Sequence, residues 1–403
     1  MSPLADNTAL LATYSGFPFP LVAGRDEQVF GADGEAWLDL YGGHCVALTG
    51  HGHPRVVAAV SEQVARLAFY SMAASLPVRD QAAEALCDFA PDGLDQVFFC
   101  NSGAEANENA LRIAAMLTGR DRFVAFEGGF HGRTQLALSV SDVPGLHAKA
   151  PGLRAEASLL PFADHAALAA ADFSDVAAVI VEPIQSMAGV RAADTAWLRA
   201  LEAKCRANGC LLIFDEIQTG MGRLGTPFAA DLHGIRPDLM TLAKGMASGL
   251  PMGAVLMQPA VAGTLAPGDL GSTFGGGPLA CAALLATLKI IREEHLMCSA
   301  AQAEQAIRRG LKGSVVSAVR GHGLLLGLVA GTQAASLKDW LQSRNILVGG
   351  SADPGVLRLM PPLTLSPRAV ATLITAVHAF SADARQDAVP FEPAKEASRS
   401  CHI

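Results

Sequence analysis

The stretch Leu211-Leu-Ile-Phe-Asp215-Glu-Ile-Gln218-Thr-Gly220, followed by Asp238-Leu-Met-Thr-Leu-Ala-Lys244-Gly245, decides the fold. Each begins with a short apolar run and ends in a side chain capable of chemistry. That is how a buried strand of a parallel sheet reads when its C-terminal end faces a ligand crevice. Working outward, the same strand pattern recurs at Gln96 to Cys100, Arg122 to Phe126, Val176 to Val181 and Ala254 to Met257. Between these runs, Ala104 to Leu117 and Thr195 to Ala207 have helical apolar spacing. The alternation predicts an α/β fold in which helices cover a mainly parallel sheet.

After Gly276 a long helix pattern, Pro278 to Glu294, leads into a different region. There Leu324 to Val329, Ser336 to Ser343, Ile346 to Val348, Val356 to Leu359 and Pro367 to Phe380 read as a smaller α+β unit. Leu21 to Leu40 reads as two or three short strands joined at Asp33-Gly34, a hairpin signal. The expected division is a segment 1–48 that joins the smaller domain, a large cofactor-binding domain 49–290, the rest of the smaller domain 291–384 and a mobile tail 385–403, where periodicity is lost.

Composition narrows the function. With 403 residues, 51% hydrophobic and 17% charged, the chain can bury a large core. A net charge of −8 and the lack of a basic stretch argue against nucleic acid as a partner. The longest apolar runs, such as Pro278 to Leu288, fall short of the roughly 20 residues a membrane helix needs. The start Met1-Ser-Pro-Leu-Ala-Asp6 lacks the basic and apolar regions of a secretion signal, so the cytoplasm is the default. Eight cysteines are scattered without metal-ligand spacing, and no metal is expected.

The chemistry lies at the strand ends. A lysine amine such as Lys244 can hold an aldehyde cofactor covalently, and a buried carboxylate such as Asp215 can keep a pyridine nitrogen protonated. Asn101-Ser102-Gly103-Ala104-Glu105 follows a strand and opens a helix, leaving backbone N–H groups and a hydroxyl at a positive helix end, which suits a phosphate. Read alone, it is a serine cap with Glu105 completing a capping box, and both readings are compatible. Phe126-Glu-Gly-Gly-Phe130-His-Gly-Arg133 offers an aromatic for stacking and a guanidinium whose fork suits a carboxylate, or is simply a surface turn. Glu182-Pro-Ile-Gln185 ends the strand Val176 to Val181, so Glu182 and Asp215 point to one crevice.

Together, Ser102-Gly-Ala-Glu-Ala-Asn-Glu108, Phe130-His-Gly-Arg133, Glu182-Pro-Ile-Gln185, Asp215-Glu-Ile-Gln-Thr-Gly-Met-Gly-Arg-Leu-Gly225, Ala243-Lys-Gly245 and Gly271-Ser-Thr-Phe-Gly275 resemble the class III aminotransferases, nearest to the acetylornithine and ornithine branch. The resemblance runs in order from about Leu21 to Leu365. It implies fold type I with pyridoxal 5'-phosphate, a large domain and a smaller α+β domain. Lys244 would carry the cofactor and move the proton, and Asp215 would pair with the ring nitrogen. Gln218 would contact the ring hydroxyl, and Phe130 would stack on the ring. Ser102, Gly103 and Ala104 would bind phosphate, completed by Thr273 from a neighbouring subunit, which implies a homodimer with shared active sites. Arg133 would hold the substrate α-carboxylate, Arg358 would receive a carboxylate of glutamate or 2-oxoglutarate, and Glu182 lies on the substrate side.

The implied reaction moves the terminal amine of N-acetylornithine, or a similar acylated diamino acid, to 2-oxoglutarate, giving a semialdehyde and glutamate. Alternatives are another ω-amine transaminase acting on ornithine, 4-aminobutyrate or succinylornithine, a mutase, racemase or decarboxylase of the same fold, and a catalytically silent binding protein. Three departures stand out. Ser186-Met187-Ala188-Gly189 replaces the usual continuation Gly-Glu-(Gly/Ala)-Gly, Gly277 replaces an asparagine, and Gly16 lies where a basic residue is common. Without the glutamate at Met187, Arg358 is expected to stay permanently available to a carboxylate, unless another acidic residue substitutes.

Overall fold

A computed structural model of the chain describes residues 17, 19–149 and 155–387 and the isolated positions 9, 11, 13 and 152. Its central sheet has seven strands, in the order Gln96–Cys100, Gly253–Met257, Leu239–Leu242, Leu211–Asp215, Val176–Val181, Arg122–Phe126 and Ala157–Leu160. Only Gly253–Met257 runs against the rest, pairing antiparallel with both neighbours. The remaining pairs are parallel. Parallel strands covered on both faces are apolar throughout rather than alternating, and Val176–Val181 is buried at every residue.

Two helical layers supply that cover. On one face Gly103–Thr118 lays Ala106, Ala110, Ile113 and Ala114 against sheet residues such as Ala177, Ile213 and Val255. The small side chains let helix and sheet approach closely. On the other face Thr195–Asn208 inserts Trp197, whose ring centroid lies 4.8 Å from that of Phe126. Asp194 caps this helix by accepting the Trp197 N–H at 2.8 Å.

Three smaller sheets accompany this core, the shortest pairing Ile184–Gln185 with Arg191–Ala192 antiparallel. Leu21–Arg25, Gln28–Gly31 and Ala36–Asp39 form an antiparallel ladder, with Asp33 and Gly34 in the turn between the last two. Ile346–Leu347 joins its edge in parallel, Ile346 opposite Leu38. Ala318–His322, Leu325–Val329 and Val356–Leu359 make the third sheet.

The sequence reading needs correction at several elements. Ala157–Leu160 is an edge strand that it missed, because four half-buried residues carry no usable period. Ala318–His322 and the helix Leu296–Gly310 were also missed. The last helix, Pro367–Asp387, runs past Phe380 and into the expected tail, and 388–403 lie outside the described residues. Among the described residues no helix is long and apolar enough to cross a membrane.

Candidate active site

Strand Leu211–Asp215 delivers its last side chain to the C-terminal edge of the sheet, where Asp215 is 4% exposed. Its Oδ2 accepts from His131 Nδ1 at 2.8 Å and from Asn107 Nδ2 at 2.8 Å, while Oδ1 accepts the Ile217 N–H at 3.1 Å. Asn107 is held in turn, donating to His131 O at 2.7 Å and accepting from Thr241 Oγ1 at 2.6 Å. A buried carboxylate with this many donors is fixed in orientation. Sequence reasoning noted His131 as an imidazole in a glycine-rich loop but gave it no role. It quoted Asn107 and Thr241 within longer motifs and gave them no role. The one signal was a polar residue on the otherwise apolar buried face of Gly103–Thr118.

Lys244 opens a single turn of 3-10 helix, Lys244–Ala247, just after strand Leu239–Leu242. Its φ of 45° is left-handed, a conformation a long side chain adopts at some cost, and one that turns the amine away from the strand line into the crevice. Burial, foremost, pulls the Lys244 ammonium below the usual lysine range, which favours the neutral, nucleophilic amine. Across the crevice, burial pushes the Glu182 carboxyl up to about 7, although Glu182 Oε1 accepts the Phe130 N–H at 2.9 Å.

Ser102, Gly103, Ala104, Phe130, Arg133, Glu182, Asp215, Gln218 and Lys244 all line one cavity of about 460 Å³. Ser102 caps helix Gly103–Thr118, its Oγ accepting the Glu105 N–H at 3.2 Å. Glu105 does not close a full capping box. Its carboxylate reaches back to the Asn101 N–H at 2.9 Å and to Ser272 Oγ at 3.1 Å. The first helical turn at Gly103 and Ala104 therefore faces the cavity with its positive end. Gly132 lets the Phe130 loop close over this turn, since a Cβ there would sit 2.7 Å from Ala104 Cβ.

These residues fit a phosphorylated, pyridine-based aldehyde. Gln218 Oε1 is buried and lacks a hydrogen-bond partner within the protein, so a donor on a ligand would satisfy it. An amine, an ordered carboxylate and a helix N-terminus are the groups that an aldehyde, a ring nitrogen and a phosphate would need.

Arg358 and Thr273 do not line this cavity. Arg358, 2% exposed on strand Val356–Leu359, donates from Nη1 to Ser186 Oγ at 3.0 Å and from Nε to Gly350 O at 2.6 Å. No carboxylate among the described residues forms an ion pair with it, so a hydroxyl and a carbonyl stand where the resemblance leads one to expect a glutamate. Met187 is fixed nearby through its carbonyl, which accepts the Ala352 N–H at 2.7 Å.

The chain at Gly42, Gly43, His44 and Cys45 holds positive φ at four successive residues, two of them not glycine. Gly42 is required there, because a Cβ would fall 2.2 Å from Met360 O. This turn brings Tyr41 Oη against His44 Nδ1. Burial, then Lys244 and Arg358, push His44 down to about 4, which favours its neutral ring. The sequence reading gave His44 no role.

Thr273 is exposed, on a loop docked to the phosphate turn through Ser272 Oγ, which accepts from Asn101 Nδ2 at 3.0 Å. Gly277 is the N-cap of helix Pro278–Glu293 and supplies no side-chain cap. Gly16 lies outside the described residues.

The model of the aminotransferase class-III family matches residues 12–380. An acetylornithine aminotransferase of Methanopyrus kandleri is 42% identical over 374 residues, 91% of this chain and 96% of that protein. One from Streptomyces coelicolor is 43% identical over 375 residues, 91% and 92% of the two chains. The crystal structure of the ornithine aminotransferase from Toxoplasma gondii has a TM-score of 0.87 at 29% identity, covering 94% of each chain.

Proposed function

This chain belongs to the class-III aminotransferase family and is a pyridoxal phosphate-dependent transaminase of fold type I, and from that premise we propose that it moves the terminal amine of N-acetylornithine, or a closely similar acylated diamino acid, to 2-oxoglutarate. The products are a semialdehyde and glutamate. The observation that carries this reading is the convergence of a desolvated Lys244 amine, the triply hydrogen-bonded Asp215 and the Arg133 guanidinium on one cavity.

Pyridoxal phosphate, when bound, supplies an aldehyde that takes up the amine and a ring that holds the electron pair released at the substrate carbon. Lys244 Nζ would hold the cofactor's aldehyde and would carry the proton removed from the carbon next to the substrate amine. Its lowered affinity for protons suits it to act as a base near neutrality. Asp215 pairs with the ring nitrogen, with His131 and Asn107 as positioning residues that fix its carboxylate. Gln218 meets the ring hydroxyl, Phe130 covers the ring face, and Ser102 with the N–H groups of Gly103 and Ala104 holds the phosphate.

Arg133 takes the α-carboxylate of the donor by its fork, and Glu182 lies beside the donor chain. Acylation of the α-amine matters because it leaves one nucleophilic amine to compete for the aldehyde. Arg358 receives the distal carboxylate of 2-oxoglutarate. Because a hydroxyl and a carbonyl, and no carboxylate among the described residues, hold it, Arg358 has no acidic partner to release in either half-reaction. That observation favours a second reading, in which the donor itself carries another carboxylate, as N-succinylornithine does.

The working molecule in this reading is a homodimer whose phosphate site is completed by Thr273 of the partner subunit. Support comes from Thr273 being exposed and outside its own cavity, beside the exposed apolar side chains of Phe274, Phe69, Tyr70 and Met72. The reaction belongs to cytoplasmic amino-acid metabolism, in the arginine-biosynthesis branch that builds ornithine.

Single-turnover loss of the bound cofactor's visible absorbance, measured across N-acetylornithine, N-succinylornithine, ornithine and 4-aminobutyrate, tests the donor. N-acetylornithine or N-succinylornithine should react fastest, and 2-oxoglutarate should restore the absorbance. Repeated turnover of a donor without any acceptor would indicate a racemase or mutase. Turnover retained by Lys244→Ala would remove the catalytic assignment.

A further inference from the structure

At the end of helix Thr195–Asn208 the chain reverses through Gly209, which is left-handed at φ 62°. The Gly209 N–H donates to Arg206 O at 3.4 Å and the Cys210 N–H to Cys205 O at 3.2 Å. This pair of bonds is the Schellman closure, which brings together the side chains at its two ends, usually as an apolar contact. Here both ends are thiols. Cys210 Sγ donates to Cys205 O at 3.6 Å, so the backbone closure and the side chain hold the two residues against each other.

The surroundings favour reaction between them. Arg120 sits on the same helix end, its Nη1 donating to Asn208 O at 3.0 Å and to Val176 O at 2.9 Å. The neighbouring Cys205 thiol lowers Cys210 below the usual thiol range while Cys205 itself is raised, and Arg120 adds to the lowering of Cys210. By contrast, burial holds Cys100 and Cys281 up at about 12. Both members of the pair line a cavity of about 550 Å³ together with Asp92, Arg206, Arg236 and Asp238. That cavity lies at the start of strand Leu211–Asp215, the opposite end from Asp215.

We infer that Cys205 and Cys210 form a dithiol modification site, at which a small-molecule disulfide entering this cavity converts the pair into an intramolecular disulfide. Cys210 Sγ, as thiolate, attacks one sulfur of the reagent, forming a mixed disulfide and releasing one reagent thiolate. Cys205 Sγ then attacks the Cys210 sulfur, expelling the second reagent thiolate, which takes up the Cys205 proton. The two protein thiols lose two electrons and the reagent disulfide gains them, leaving as two thiols. Nothing in this step depends on the identity of the amine substrate.

The test uses the intact holoenzyme and 2-hydroxyethyl disulfide. After exposure, free thiols are blocked with iodoacetamide in denaturant, and disulfides are then reduced and labelled with N-ethylmaleimide. Cys205 and Cys210 should carry maleimide together, while Cys100 and Cys281 carry the acetamide. Without reduction, trypsin should yield Cys205-Arg206 cross-linked to the peptide from Ala207 to Arg223. Cys205→Ser should leave Cys210 as a mixed disulfide with mercaptoethanol, and Cys210→Ser should abolish labelling at Cys205. The inference is overturned if both thiols carry acetamide under conditions in which the exposed Cys298 has reacted. Labelling of Cys205 that is unaffected by Cys210→Ser overturns it equally.

Discussion

His131 Nδ1 lies 2.8 Å from Asp215 Oδ2, with both side chains almost wholly buried. An ionised carboxylate only accepts, so the proton on that contact belongs to the imidazole, and His131 is held in the Nδ1–H tautomer. Asn107 meets the same carboxylate oxygen from the opposite element, the helix Gly103–Thr118. Two donors from separate parts of the chain thus fix this carboxylate at the crevice.

Removing either donor should weaken catalysis more than folding. A hydrogen bond to a charged group contributes ~1.5–3 kcal/mol, so His131→Ala or Asn107→Ala should slow the amine half-reaction roughly 10- to 100-fold. Stopped-flow loss of cofactor absorbance at saturating donor gives the number. Wild-type rates in both variants would show that Asp215 needs no such support.

Glu182 supplies a pH signature in the cofactor-free protein. Burial raises its carboxyl to about 7 in the fold, above the unfolded value near ~4.3. The folded state therefore binds more protons than the unfolded state between those values. Its contribution to stability is complete below the unfolded value and is lost as pH rises through about 7. Glu182→Gln should remove a pH-dependent difference on the order of 2–3 kcal/mol between pH ~5 and ~8, read by urea denaturation at both. Parallel stability profiles for variant and wild type would contradict this.

Arg358 and Met187 should separate the two half-reactions. Arg358→Ala should raise the KM for 2-oxoglutarate roughly 10- to 100-fold, the cost of losing a charged, forked contact of ~1.5–3 kcal/mol. Met187→Glu should place a carboxylate near that guanidinium, raising the KM for 2-oxoglutarate while improving donors that lack a second carboxylate. Unchanged preference for donor and acceptor in Met187→Glu would discard the open-arginine reading.

The exposed pair Phe69 and Phe274, with ring centroids 4.9 Å apart, should lie in the subunit interface. Phe274→Asp should shift the protein toward monomer in light scattering and loosen cofactor retention. Co-assembly of a Lys244→Ala chain with a Thr273→Asp chain should restore activity at one site of the mixed dimer. No restoration, or a wild-type protein that is monomeric, counts against a shared site.

Much of the site was legible in the sequence because its parts are local. Asp215, Lys244 and Glu182 each end an apolar strand, and Ser102 caps the helix that the next residues begin, so a few neighbouring residues determine each one. Ordered along the chain, they identify the cofactor chemistry without coordinates. What the tertiary structure alone decided is which groups meet across long separations. Arg358 finds Ser186 Oγ across 172 positions, and Asn107 finds Asp215 across 108. These contacts follow from strand order and helix packing, which no short window encodes. The left-handed turn that holds His44 beside Tyr41, and the single antiparallel strand Gly253–Met257, belong to the same class. Each is held by backbone contacts with distant segments rather than by its own residues' preferences.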